Sequence, residues 1–118
     1  MSTNITALAN VDGFIGACLV DSASGMMLAA ESGSGRFDPE TAGAANTNVV
    51  RSKNEAIEAL GLNEEIEDIL ITLGSQYHLI RPLSKNKEVF LYVALDRKKA
   101  NLAMARLQVR RVEETLEI

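Results

Sequence analysis

Cys18 and His78 are the side chains best suited to nucleophilic chemistry, and each is the only one of its kind in the chain. A thiol beside an imidazole can act as a nucleophile and base pair. Cys18, however, lies in the apolar run Gly13-Phe-Ile-Gly-Ala-Cys-Leu-Val20, where a thiol packs as a small hydrophobe and is not activated. His78 falls on a predicted strand and reads as structural or exposed. One cysteine leaves no intrachain disulfide and no multi-cysteine zinc site, and one histidine leaves no multi-histidine metal centre. Gly33-Ser-Gly35 echoes a phosphate-binding loop, but no Gly-Lys-Ser/Thr follows, so it reads as a linker. Glu64, Glu65, Glu67 and Asp68 form an acidic run without the alternating spacing of a calcium loop. They read as a solvated loop leading into a charged strand edge. These residues compose no catalytic, cofactor or metal site, and the chain is not expected to be an enzyme.

The totals agree. With 118 residues, 47% hydrophobic and 24% charged, the chain is expected to form one domain spanning 1–118. Aromatics make up 4% and Trp is absent, so the core must be aliphatic and no stacking platform for single strands is available. The formal charge is −4, and an acidic chain with scattered Lys and Arg is poorly suited to neutralising nucleic-acid phosphates. The charge is uneven: residues 1–59 hold 7 acidic and 3 basic side chains, and residues 60–118 hold 9 of each. That split reads as a solvated acidic face, with a docking surface for a basic partner as the alternative. No basic region followed by an apolar stretch opens the sequence, and no apolar segment reaches the length of a membrane span. A cytoplasmic protein without membrane insertion is expected.

The elements that position these residues can be read along the chain. Residues 3–10 can form a short helix with Ile5, Leu8 and Ala9 on one side. Residues 13–20 suit a central strand covered on both faces. Asp21-Ser-Ala-Ser-Gly25 is a turn cluster, and Met26–Ala30 completes a hairpin. Asp38 as N-cap, Pro39 at the first helical position and Glu40 near the positive end of the dipole mark a second helix. It runs to about Leu60 and stops at Gly61. Ile66–Leu73, Tyr77–Pro82 and Val89–Leu95 read as three further strands. The polar Ser84–Lys87 loop joins the last two, and Asp96 is expected to cap a final helix reaching about Thr115. Short connections between successive strands favour an antiparallel sheet with helices on its faces. The predicted class is α/β (α+β), in the order α-β-β-α-β-β-β-α.

At 100° per residue, Ala42, Ala45, Val49, Ala56 and Leu60 share one face of the second helix, with Val50 and Ile57 extending it. Asn46 and Lys53 fall in the same arc, and Thr47, Arg51, Asn54, Glu55 and Glu58 lie opposite. An Ala-rich face with polar residues at its margin reads either as a snorkelling Lys53 and a hydrated Asn46, or as a helix shared between its own sheet and a second subunit. The last helix carries two apolar stripes. Leu102, Ala105, Val109, Val112 and Leu116 form one. Ala100, Ala103, Met104 and Leu107 form the other, and Lys99, Arg106, Arg110 and Glu113 flank them. The second stripe is either covered by the short N-terminal helix or left for a partner, and coverage within the fold is expected, since large exposed apolar patches are unusual in monomers.

Val11-Asp-Gly-Phe-Ile-Gly-Ala-Cys-Leu-Val-Asp21, Ser24-Gly-Met-Met-Leu-Ala29, Asp68-Ile-Leu-Ile-Thr-Leu-Gly74, Tyr77-His-Leu-Ile-Arg-Pro-Leu83 and Val89-Phe-Leu-Tyr-Val-Ala-Leu-Asp96, followed by Ala100-Asn-Leu-Ala, together resemble the roadblock/dynein light chain family, most of all its compact bacterial, gliding-motility members. The resemblance spans about Val11 to Leu116. It implies a five-stranded antiparallel sheet with the second helix on one face and the first and third on the other. It also implies a homodimer that joins two sheets through the second helix, Ala42 through Ile57, and the third strand, Glu67 through Thr72. The interface residues it implies are Ala42, Ala45, Asn46, Val49, Val50, Lys53, Ile57, Asp68, Leu70 and Thr72. The implied role is non-catalytic: regulating or scaffolding a small Ras-like GTPase, or alternatively tethering signalling or motility proteins without one. Arg36, Arg51 and Arg97 are the arginines available as a finger supplied in trans.

Overall fold

The computed structural model describes residues 2–33, 35 and 37–118. A short 3-10 helix (Thr6–Asn10) precedes β1 (Phe14–Asp21), β2 (Met26–Ser32), α1 (Pro39–Ala59), β3 (Ile69–Thr72), β4 (Gln76–Pro82), β5 (Val89–Asp96) and α2 (Leu102–Thr115). This is the predicted order, with the first helix reduced to a 3-10 segment. All pairings are antiparallel, and the sheet runs β2-β1-β5-β4-β3.

The central position of β5 follows from its composition, since Val89 through Leu95 are all buried. Successive side chains of a strand point to opposite faces, so β5 feeds two cores. Val89, Leu91, Val93 and Leu95 join Ala17, Leu19 and Leu79 in a core closed by Ile5 and Leu8 and by Ala105, Val109, Val112 and Leu116 of α2. Phe90, Tyr92 and Ala94 join Cys18, Val20 and Ile80 beneath Val50 of α1. The 3-10 helix and α2 thus cover one face of the sheet and α1 the other. β2 carries a bulge: Leu19 pairs with Ala29 and Val20 with Met27, leaving Leu28 as the extra residue.

α1 begins as expected. Asp38 accepts hydrogen bonds from the Glu40 and Thr41 backbone N–H groups and from the Thr41 hydroxyl. It ends at Gly61, whose φ of +68° suits glycine. The face it buries differs from the wheel reading. Gly43, Asn46, Thr47 and Val50 are buried, whereas Ala45 and Leu60 are exposed. Thr47, placed on the outer side by pattern, can face the sheet because its hydroxyl donates to the Gly43 carbonyl at 2.8 Å. Asn46 is satisfied the same way, donating to the Ala42 carbonyl at 2.7 Å. Gly43 is the contact point, since a Cβ there would stand 3.0 Å from Val20 Cγ2.

Three other expectations are corrected. β3 is shorter than predicted, because the acidic stretch before it does not enter the sheet ladder. α2 is capped by Asn101, whose side chain accepts from Met104 N–H at 3.1 Å. Asp96 closes a separate turn: its carbonyl accepts from the Lys99 and Ala100 N–H groups, and its carboxylate accepts from Lys98 N–H. The second stripe of α2 is not covered within the fold, since Met104 and Leu107 remain 50% and 39% exposed.

Candidate functional site

β3 and β2 form the two rims of the sheet. β3 is a four-residue rim in regular register, paired only with β4 (Ile69 to Ile80, Leu70 to Leu79, Ile71 to His78, Thr72 to Tyr77). A rim of this kind presents unpaired backbone N–H and C=O groups. Ile69 and Ile71 turn toward the α1 side and Leu70 toward the α2 side. Between α1 and β3 runs an open groove of about 450 Å³ lined by Asn48, Val49, Ser52, Lys53 and Ile69. Beyond Val50, α1 buries nothing fully: residues 51–55 are exposed, Ala56 and Ile57 are half-buried, and Leu60 is 70% exposed.

The ten residues expected at an interface divide accordingly. Val49, Lys53 and Thr72 lie on or beside the groove and rim, with Ala45 exposed and Ala42 and Ile57 half-buried along the same helix. Val50 and Asn46 belong to the chain's own interior, Val50 being 1% exposed. Leu70 packs against the α2-side core, and Asp68 pairs with Arg106 at 3.2 Å.

Cys18 and His78 lie on strands separated by β5, Cys18 pairing with Tyr92 and His78 with Ala94. Burial pushes the Cys18 thiol up to about 12, so it remains protonated and inert near neutral pH. His78 stands edge-on to Tyr92, with ring centroids 5.4 Å apart, and its Nε2 lies 2.8 Å from Gln76 Oε1. Burial holds its pKa below the ordinary value of 6.5. Among the described residues no group of three His, Cys, Asp or Glu side chains could hold a metal ion, and no helix is long and apolar enough to cross a membrane.

Two of the candidate arginines are committed to structure. Arg51 donates to the Ser22 carbonyl and, at 3.1 Å, to that of Ala23, clamping the β1–β2 turn to α1. Arg97 donates to the Leu73 carbonyl at 3.0 Å and lies 5.5 Å over the Tyr77 ring. Arg36, like Ser34 of the predicted linker, lies outside the described residues.

Pattern reading missed a buried ionic network. Glu113, expected on the flank of α2, is 5% exposed. Its Oε1 accepts from Arg81 Nε at 2.5 Å, and its Oε2 accepts from Ser84 N–H at 2.9 Å and the Ser84 hydroxyl at 2.7 Å. Burial alone would raise this carboxyl, but the Ser84 and Arg81 donors outweigh it and hold the pKa below the ordinary value. The network ties the end of α2 to β4 and to the β4–β5 loop.

This arrangement of sheet, helices and rims has close structural counterparts. Myxococcus xanthus MglB superposes with a TM-score of 0.76 at 17% identity, over 92% of this chain and 85% of that one. A roadblock/LC7 domain from Streptomyces avermitilis gives a TM-score of 0.77 at 13% identity, over 92% and 87%. The fold is that of the roadblock/LC7 domain. The gliding protein MglB of Thermus thermophilus shares it, with a TM-score of 0.76 at 16% identity over 91% of this chain and 78% of that one. No protein-family model and no curated protein sequence matches the chain. Within the roadblock/LC7 fold, the five-stranded antiparallel sheet and the division of helices between its two faces agree with what the sequence resemblance implied.

Proposed function

We propose that the chain is a non-catalytic homodimer that binds and regulates, or scaffolds, a small Ras-like GTPase. The observation that carries this reading is the unbulged β3 rim lying beside the apolar Val49–Ile69 groove and the thinly packed second half of α1. Antiparallel pairing of two such rims would satisfy their backbone groups. It would also bring two α1 helices together over the groove, burying Val49 and Ile69 and covering Ala45 and Ile57. The Lys53 stem would border that contact with its ammonium in water.

Support for the GTPase as partner comes from the fold shared with MglB and roadblock/LC7 domains. The manner of regulation is conformational or by scaffolding. An arginine finger needs a free guanidinium, and of the candidates within the described residues Arg51 and Arg97 are both held by carbonyls of their own chain, while Arg36 lies outside them. The test is direct. Sedimentation should give a dimer, and a small Ras-like GTPase should bind in one nucleotide state in preference to the other. A monomer at high concentration, or equal absence of binding to the GDP and GTP forms, overturns the reading.

A further inference from the structure

The charge of −4 hides a strong segregation: residues 97–111 contain six cations (Arg97, Lys98, Lys99, Arg106, Arg110, Arg111) and no acid, leaving 6 cations and 16 acids for the rest of the chain. The fold gathers this basic segment into the turn before α2 and the helix itself. Three of the six are already engaged: Arg97 with the Leu73 carbonyl, Arg106 with Asp68 at 3.2 Å, and Arg110 with Glu114 at 3.7 Å. Both ion pairs are at least partly exposed and weak in water. Lys98, Lys99 and Arg111 are exposed and form no ion pair among the described residues. In the middle of this segment Met104 and Leu107 stand exposed, one turn apart, with exposed Ala103 beside them. At 100° per residue Arg110 and Arg111 lie on either side of the Leu107 line.

We propose that the outer face of α2 is a docking surface for an acidic amphipathic helix of another protein. Leucine-like side chains of such a helix, spaced i, i+3 or i+4, would cover Met104 and Leu107. Its flanking carboxylates would meet Arg110 and Arg111, with Lys98 and Lys99 in the turn before α2 adding to the positive field. A bilayer fits less well. The main apolar stripe of α2 is already buried against the sheet, and two aliphatic side chains without an aromatic give little to insert. This surface goes beyond the function proposed above. It lies on the sheet face opposite α1, away from the helix contact proposed above, and a β3-paired dimer would carry two such faces.

The test uses the full chain and a fluorescein-labelled helical peptide of about 18 residues, with Leu on one face and Glu on the other. Controls carry Ser for Leu, or Lys for Glu. Expected is saturable anisotropy that weakens at least about fivefold between about 50 and about 300 mM salt. The Arg110→Ser/Arg111→Ser and Met104→Ser/Leu107→Ser variants should each lose about tenfold or more, with circular dichroism and sedimentation unchanged. The proposal is overturned by absent binding, by equal binding of the variants, or by equal binding of the Ser or Lys peptides. Recruitment to phosphatidylglycerol vesicles through the same arginines also overturns it. GTPase binding retained by both variants separates this surface from the proposed regulatory one.

Discussion

Replacing Glu113 with Gln probes the one buried charge network seen among the described residues while leaving shape almost unchanged. In the wild type both carboxylate oxygens only accept, one from Arg81 and the other from two Ser84 donors. A Gln side chain must turn its amide NH2 toward one of these, setting donor against donor and leaving the Arg81 guanidinium without its counter-charge. Breaking a fully buried pair costs roughly 3–5 kcal/mol, whereas a hydrogen bond to a charged group contributes about 1.5–3. The Arg81 side chain retains 18% exposure, so water takes back part of its solvation, and the lower range applies. We expect Glu113→Gln to lose about 2–3 kcal/mol in urea unfolding at fixed protein concentration. For a chain of this size that corresponds to a fall in Tm of roughly 10 °C. A double-mutant cycle with Arg81→Met should show coupling of at least about 1 kcal/mol. A loss below about 0.5 kcal/mol, the range of ordinary surface substitutions, would refute the assignment of Glu113 as the tie between α2 and β4.

The same carboxyl predicts a pH dependence. Held below its ordinary 4.5 in the folded state, Glu113 binds fewer protons folded than unfolded, so its contribution is complete above about pH 4.5 and vanishes as pH falls through the lower folded value; Glu113→Gln should flatten that acid limb of the stability profile. Cys18 should resist thiol reagents at pH 8 in the native protein and react promptly in denaturant, because burial pushes its thiol to about 12; rapid native labelling would contradict its placement under α1. Gly43→Val puts a branched side chain where a Cβ already meets Val20 Cγ2 at 3.0 Å and should cost about 1–3 kcal/mol by calorimetry. Val49→Glu with Ser52→Glu sets like charges in the groove facing a second copy and should shift sedimentation from dimer to monomer with the far-UV spectrum intact; an unmoved dimer would displace the proposed interface from α1.

The parts of the fold visible in the sequence were those where one residue type settles the matter. The continuous apolar runs Phe14–Val20 and Val89–Leu95 mark strands buried on both faces, and Asp38-Pro39 with Gly61 brackets α1. The rotation of α1 was not visible, because a helix face made of Ala, Gly, Asn and Thr gives hydrophobic patterning little to act on. Thr47 is buried only because its own helix accepts its proton. The start of α2 was displaced for a similar reason. Asp96 and Asn101 are both competent caps, and the choice depends on Asp96 already closing a turn with Lys98, Lys99 and Ala100. For the candidate site, the resemblance pointed to the third strand and the Val49 stretch as an interface, and the structure adds only that β3 is a rim and Val49 is half-buried beside it. The Glu113 network was out of reach, since Arg81 and Ser84 lie 32 and 29 residues away and no local pattern marks a carboxylate for burial.

The extra residue at Leu28 sets the two rims of the sheet apart, since β2 carries a bulge and β3 does not. A sheet extended from both sides could recruit neighbours without end and grow into a fibre. The bulge in β2 breaks the regular register of that strand, and bulged rims pair poorly with further strands. If copies pair through β3 as proposed, the other rim then offers a poorer template for a further copy, which favours a closed pair over continued growth.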